Sequence, residues 1–328
     1  MSSTLPPPMR PPLPPPMPPV DPLSQWLGLL DARAVLSARL RARGRWSVGV
    51  TTDGPKVNAV VRGQCWLVHP DQSAPLSLSE GDAFVLVQPL RYVLTSDPAL
   101  IPAEASDVFS GPQGCCDGGE GPAFEAIGCR IDVSLAHDDL LSRLLPPVIH
   151  VQSHASSASA VRWLIERLGT EVFTSSAGAS ASVDLMAQLL FVESIRHWAG
   201  LAGASAGALG VSGDPRLAQV LGRLHAAPAH AWRLEEMAEL AGMSRSAFSQ
   251  RFRQETGRAP LEYLIDWRLR LAARMLREDR APLAEIAESV GYQSDSALSQ
   301  AFKRMTGVSP ASYRRTWRRE SIPSMQEG

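Results

Sequence analysis

The chain has 328 residues, 45% of them hydrophobic and 20% charged, with a formal net charge of −1. Its length sets an expectation of two domains, and its near-neutral balance gives no overall basic pull toward nucleic acid. No uninterrupted run of about 20 apolar residues occurs, which excludes a membrane-spanning helix by pattern.

Residues 1–22 (MSSTLPPPMRPPLPPPMPPVDP) hold 11 of the 27 prolines. Proline fixes φ and removes a donor, so residues 1–20 read as an extended tail; a disordered leader and a proline-rich ligand are the two readings. The start lacks the basic residues and apolar run of a secretory signal. Asp21 to Leu40 reads as a short amphipathic helix leading into a strand. Short β-like runs follow at 46–51, 56–61, 64–68, 84–87, 92–95 and 126–133, broken by turns such as Glu80-Gly81-Asp82. Closely spaced short strands predict an all-β sandwich or barrel over residues 21–153.

Four cysteines without metal-like spacing fit a reducing cytoplasm. Cys115 and Cys116 lie in a glycine-rich stretch expected to be a loop, and Cys129 in an expected strand. A disulfide from Cys129 to Cys115 or Cys116 would make these three a candidate redox input. The competing reading is two incidental loop thiols, disfavoured as nucleophiles by nearby Asp117 and Glu120. Cys65 reads as a small core residue.

Residues 154–212 read as a helical segment. Ser157 to Leu168 carries Val161, Leu164, Ile165 and Leu168 on one face. Val183 to Trp198 carries Leu185, Leu189, Val192 and Ile195, widened by Met186, Leu190 and Phe191. So wide a face suits packing on the β domain and on a second subunit, or burial within one chain. The Ala/Gly/Ser run from Ala199 to Gly213 reads as a flexible linker.

The C-terminal third contains a pattern that occurs twice. Leu234 to Leu264 reads LEEMAELAGMSRSAFSQRFRQETGRAPLEYL, and Leu283 to Arg314 reads LAEIAESVGYQSDSALSQAFKRMTGVSPASYR. In each copy a short apolar-periodic helix stops at Gly242 or Gly291, and Ser244 or Ser294 caps the next helix. That helix is expected to bury Ala247, Phe248 and Phe252 in the first copy, and Ala297, Leu298 and Phe302 in the second. Two short helices around a tight turn form the motif that lays its second helix in the major groove. The face opposite the phenylalanines is Ser246, Ser249, Gln250 and Arg253, and in the second copy Ser296, Ser299, Gln300 and Lys303. Glutamine pairs with adenine, and Arg or Lys with guanine or phosphate. Arg245, Arg251 and Arg304 flank the stripes as backbone contacts. From Gly213 to Glu320 there are 18 Lys+Arg against 13 Asp+Glu, and in residues 1–212 there are 14 against 19. A basic module joined to an acidic one suits a DNA-binder with a separate regulatory part.

The second copy resembles the signature of the AraC/XylS transcription regulators at Gly291, Tyr292, Ser296, Phe302, Lys303, Arg304, Gly307, Ser309, Pro310, Tyr313 and Arg314. That resemblance implies two helix-turn-helix units over residues 213–316, bridged by one long helix and reading successive major grooves. Leu261 to Asp279 would be the bridge, with Leu264, Trp267, Leu271 and Met275 facing the core. Leu298 stands where the family usually has an aromatic and Gln300 where it often has Arg, which puts the family's contact at that position in question. The run from Ala59 to Pro70 and the run from Leu76 to Pro89, through Gly63 and Gly81-Asp82, are similar to the cupin domains that precede many such regulators.

Enzymatic cupins use a His and Glu cluster for metal. Here the segment before Gly63 has no histidine, Arg91 and Tyr92 stand after Gly81, and His69 falls at an expected solvated turn. No metal, no cofactor and no catalysis are therefore expected. The reading is a multidomain cytoplasmic regulator with a cupin-like sensor, a helical dimerisation segment, a double helix-turn-helix and a tail over 317–328. Its expected partners are promoter DNA, a second copy, an unknown small-molecule effector and RNA polymerase. Two rivals are a thiol-based regulator of the same kind and a cupin enzyme with a DNA-binding tail.

Overall fold

The computed structural model describes residues 22–30, 32–70, 73–133, 141–142, 145–173, 177–202, 214–278 and 281–320. The tail over 1–20, the linker from residue 203 onward and residues 321–328 lie outside the described residues.

Helix α1 (Pro22–Leu30) leads into twelve strands: β1 (Arg33–Gly44), β2 (Ser47–Thr52), β3 (Lys56–Arg62), β4 (Gln64–Val68), β5 (Leu76–Ser79), β6 (Ala83–Leu86), β7 (Leu90–Thr95), β8 (Ala103–Glu104), β9 (Phe109–Ser110), β10 (Gln113–Gly118), β11 (Ala123–Asp132) and β12 (Val148–Val151). A one-turn helix α2 (Ala105–Val108) separates β8 from β9. The strands form a seven-stranded sheet, β12-β6-β3-β11-β1-β10-β9, facing a five-stranded sheet, β5-β4-β7-β2-β8. The period-two alternation decides which side each residue covers. Phe84, Leu86, Phe124 and Ala126 point between the sheets. Their neighbours Ala83, Val85, Ile127, Cys129 and Ile131 point to the outer face. That face is covered by α3 (Ser159–Phe173) and α4 (Ala179–Ala202) through Leu164, Leu168, Leu190, Phe191 and Ile195.

The expected short helix leading into a strand is α1 followed by β1, in which Ala34, Leu40 and Ala42 are buried while Arg33, Val35, Arg41 and Arg43 face out. Several boundaries differ from expectation. Cys115 and Cys116 sit in β10 rather than a loop, because β10 pairs in parallel with β1. Strands β5 and β12 were not anticipated. On α4, Ile195 is core while Leu185 and Leu189 stand 68% and 45% exposed.

The C-terminal part is helical: α5 (Pro215–Ala226), α6 (Leu234–Leu240), α7 (Arg245–Thr256), α8 (Pro260–Glu278), α9 (Leu283–Ser289), α10 (Asp295–Thr306) and α11 (Pro310–Glu320). On the bridging helix α8, Leu264 and Trp267 are buried as expected, but Leu271 and Met275 are only partly so. Leu269, Ala272, Ala273 and Leu276 turn instead into the second unit's core. One helix serving two units must present two faces.

Helix α1 leaves the β domain and docks on α5 and α8. Trp26 Nε1–H donates to Tyr263 Oη at 3.1 Å. The Trp26 ring lies edge-on to Trp267 at 5.2 Å, and His225 stacks on Trp267 at 3.6 Å. Arg277 also donates to Leu29 O at 3.4 Å. Burial takes the His225 pKa down to about 3. An unfolded chain binds that proton near pH 6.5 and the folded one does not, so stability is full above about 6.5 and is lost as pH falls toward 3, at up to about 1.4 kcal/mol per unit. We expect His225→Gln to melt below wild type at pH 7 and the gap to narrow steadily by pH 4.5. A gap independent of pH in paired melting curves would contradict this.

Candidate nucleic-acid interface

Each unit is built from the same local chemistry. The Ala247 and Ala297 amides donate to Ser244 and Ser294 Oγ at 3.4 and 3.2 Å, starting α7 and α10. Gly257 and Gly307 end them with φ of 73° and 77°, a left-handed cap. Thr256 and Thr306 hydroxyls donate back to Phe252 and Phe302 carbonyls at 2.8 and 2.9 Å. Phe252 meets Tyr263 edge-on at 5.5 Å, and Phe302 meets Tyr313 at 5.3 Å. The repeat in sequence is thus a repeat of caps, back-bonds and ring contacts.

Burial of Phe248, Phe252, Leu298 and Phe302 fixes the rotation of α7 and α10. Ser246, Gln250 and Arg253 are exposed and Ser249 is partly so; in the second unit Ser296, Gln300, Lys303 and Arg304 are exposed and Ser299 partly. One reading needs correction. Ala247 and Ala297 are exposed, not core. They sit one position before the buried residue, beside Gln250 and Gln300 on the outward surface, where a methyl can meet a thymine methyl. Gln254, not singled out before, is exposed next to them. Arg251 is exposed and also ion-paired. It pairs with Glu255 at 3.0 Å and approaches Asp214 at 3.9 Å, on the side of the helix that faces α5. Arg245 is exposed but bonded to Glu235 at 2.7 Å. The backbone N–H of Glu235 and then the Arg245 guanidinium hold that carboxyl below its ordinary range. A solvent-exposed pair of this kind is weak and a phosphate can displace it.

Sequence reasoning missed Arg268 on α8. Its Nε donates to Pro228 O at 2.7 Å, one terminal nitrogen to His230 O at 2.8 Å and the other to Gly291 O at 3.5 Å. One guanidinium thereby ties the segment before the first unit to the turn of the second. Its three partners are backbone carbonyls, which no side-chain pattern advertises.

The front domain places the other candidates apart. Cys129 lies opposite Leu36 on β1, whereas Cys115 and Cys116 lie opposite Arg41 and Ala42. Five or six residues of strand separate them, roughly 17–20 Å at about 3.3 Å each. A disulfide needs Cα atoms within about 7 Å, so neither candidate bridge forms in this fold. Burial pushes the Cys129 and Cys65 thiols up to about 12, and burial also raises Cys116. His69 is 2% exposed rather than solvated. Among the described residues no group of three or more His, Cys, Asp and Glu is arranged to hold a metal. Between the sheets lies a cavity of about 310 Å³ lined by β1, β2, β3, β7 and β11.

Comparison with known proteins matches both parts. Residues 21–200 fit the Cupin family model and residues 237–316 the Helix-turn-helix domain model. A "Putative AraC-like transcription regulator" of Streptomyces antibioticus is 39% identical over 281 residues, spanning 84% of this chain and 92% of that protein. The "RCS-specific HTH-type transcriptional activator RclR" of Escherichia coli is 34% identical over 143 residues, 44% of this chain and 50% of that one. Among solved structures, the DNA-binding domain of AdpA in complex with a target DNA is 37% identical, covers 33% of this chain and 96% of that one, and gives a TM-score of 0.32.

Proposed function

Because this chain belongs to the AraC-like transcription regulators, with a cupin front domain and a helix-turn-helix DNA-binding domain, we propose that it reads a promoter through two outward stripes and gates that reading from its β domain. The observation that carries the proposal is the duplicated exposed face set by the buried Phe248/Phe252 and Leu298/Phe302 pairs. Ser246, Ser249, Gln250 and Arg253 serve the first groove, and Ser296, Ser299, Gln300 and Lys303 the second. Arg245 and Arg304 hold phosphates.

The signal is a small molecule entering the cavity between the sheets. Strand β1 lines that cavity and runs back within three residues to α1, whose Trp26 is seated among His225, Tyr263 and Trp267. A ligand that binds one placement of β1 better than another shifts the docking of α1, by no more than that difference in affinity. The protein acts as a homodimer in the cytoplasm, with RNA polymerase as its downstream partner and no catalysis of its own. Exposed Leu185 and Leu189 on α4 suit the subunit contact. Among the described residues no helix is long and apolar enough to cross a membrane.

Gln250→Ala tests the reading. It is expected to cost about 1–3 kcal/mol on the preferred site and to relax one base position. Affinities measured across a panel of single-base variants would show this. An equal loss on every sequence would place Gln250 on phosphate and remove it from base reading.

A further inference from the structure

The cavity between the sheets is apolar through Leu40, Val48, Val50, Leu94 and Ala126, yet β3 sends two polar side chains into it. Lys56 and Asn58 both converge on Gly128 of β11. A Cβ there would lie 2.7 Å from Lys56 Cε, 2.8 Å from Asn58 Oδ1 and 3.2 Å from Lys56 Nζ. The missing side chain at Gly128 is what makes room for both. Asn58 is 4% exposed, and its Nδ2 has no hydrogen-bond partner. Among the described residues no carboxylate pairs with Lys56; Asp53 acts on it only through a coulombic interaction that raises its pKa less than burial lowers it. The Tyr92 side chain, 2% exposed, lines the same space.

Of the 32 basic residues only Lys56 and Lys303 are lysines, so the front domain's single ammonium lies inside its cavity. An unpaired charge in an apolar enclosure is costly. Burial lowers the Lys56 pKa, which expresses that cost. A buried donor left unpaired adds to it, and a ligand with acceptor oxygens relieves both.

We propose that this cavity binds a compact organic carboxylate, its anion held by Lys56 Nζ and the Asn58 amide and its apolar body held against Leu40, Val50 and Leu94. The inference rests on the reading that the effector enters the β domain. The volume lies at the low end of small-molecule sites, which run from about 300 to 1,000 Å³, so the body is a single ring or a short branched chain. Lysine suits the site because its ammonium is a compact charge with three donors on a flexible stem.

The test uses the full-length protein with phenylacetate and cyclohexanecarboxylate, each beside its primary amide, in titration calorimetry. The acids are expected to bind about 10- to 100-fold more tightly than the amides, the range for a charge-assisted contact. Lys56→Met should abolish that preference while leaving amide affinity in place, and Lys56→Arg should retain most of it. Amides that bind as well as acids, or a preference that survives in Lys56→Met, overturn the anion assignment but leave the cavity as an effector site. Absence of binding by all four probes overturns the assignment as well. The gating reading then stands or falls on a separate measurement, whether filling the cavity with Ala126→Phe changes promoter affinity.

Discussion

Phe252→Ala should unfold the first helix-turn-helix unit rather than impair recognition alone. The ring is fully buried, 5.5 Å from Phe248 and 5.5 Å from Tyr263. Truncating such an aromatic removes about 3–5 kcal/mol through lost transfer energy and the cavity left behind. A domain's whole stability is about 5–15 kcal/mol. The loss also reaches the front domain, because Tyr263 contacts both Phe252 and Trp26. Denaturant melts should therefore show a lower midpoint for the C-terminal helices, with DNA binding lost in proportion to the unfolded fraction. A variant that melts like wild type yet fails to bind would mean Phe252 is not core, and the rotation assigned to α7 would be wrong.

The helical part was legible in sequence because it is written twice. Gly242, Ser244, Phe252 and Gly257 recur as Gly291, Ser294, Phe302 and Gly307, and each recurrence fixes a cap or a core ring by local rules. The same rules misplaced Ala247 and Ala297, since alanine is apolar but too small to decide a helix face. The ion pairs of Arg251 were not legible, because its partners, Glu255 and Asp214, lie one turn on and 37 residues back. In the front domain, strands with clear β-branched runs were found. The helix-to-strand passage over residues 21–40 was legible, but not where β1 begins, because Ala34, Leu36, Leu40 and Ala42 pattern weakly and its start follows a true helix. Neither Trp26 against Tyr263, 237 residues apart, nor Lys56 against Gly128 could be inferred from spacing. Such contacts exist only once the sheets have closed.

The claim that the two outward stripes meet a duplex is tested most directly by salt. Each phosphate neutralised by Lys or Arg contributes about −0.9 to the slope of log affinity against log salt. Arg245, Arg251, Arg253, Lys303 and Arg304 are exposed at this surface. With roughly five or six contacts the slope should be about −5, so affinity falls about 10³-fold between 50 and 200 mM salt. The double variant Lys303→Gln/Arg304→Gln should flatten the slope by about two, because each lost phosphate contact removes about one. The measurement is the affinity of full-length protein for its own upstream DNA across that salt range, for wild type and the double variant. A slope near −5 that moves to about −3 is the predicted result. A slope near −1, or one unchanged by the double substitution, would mean that this face does not meet DNA.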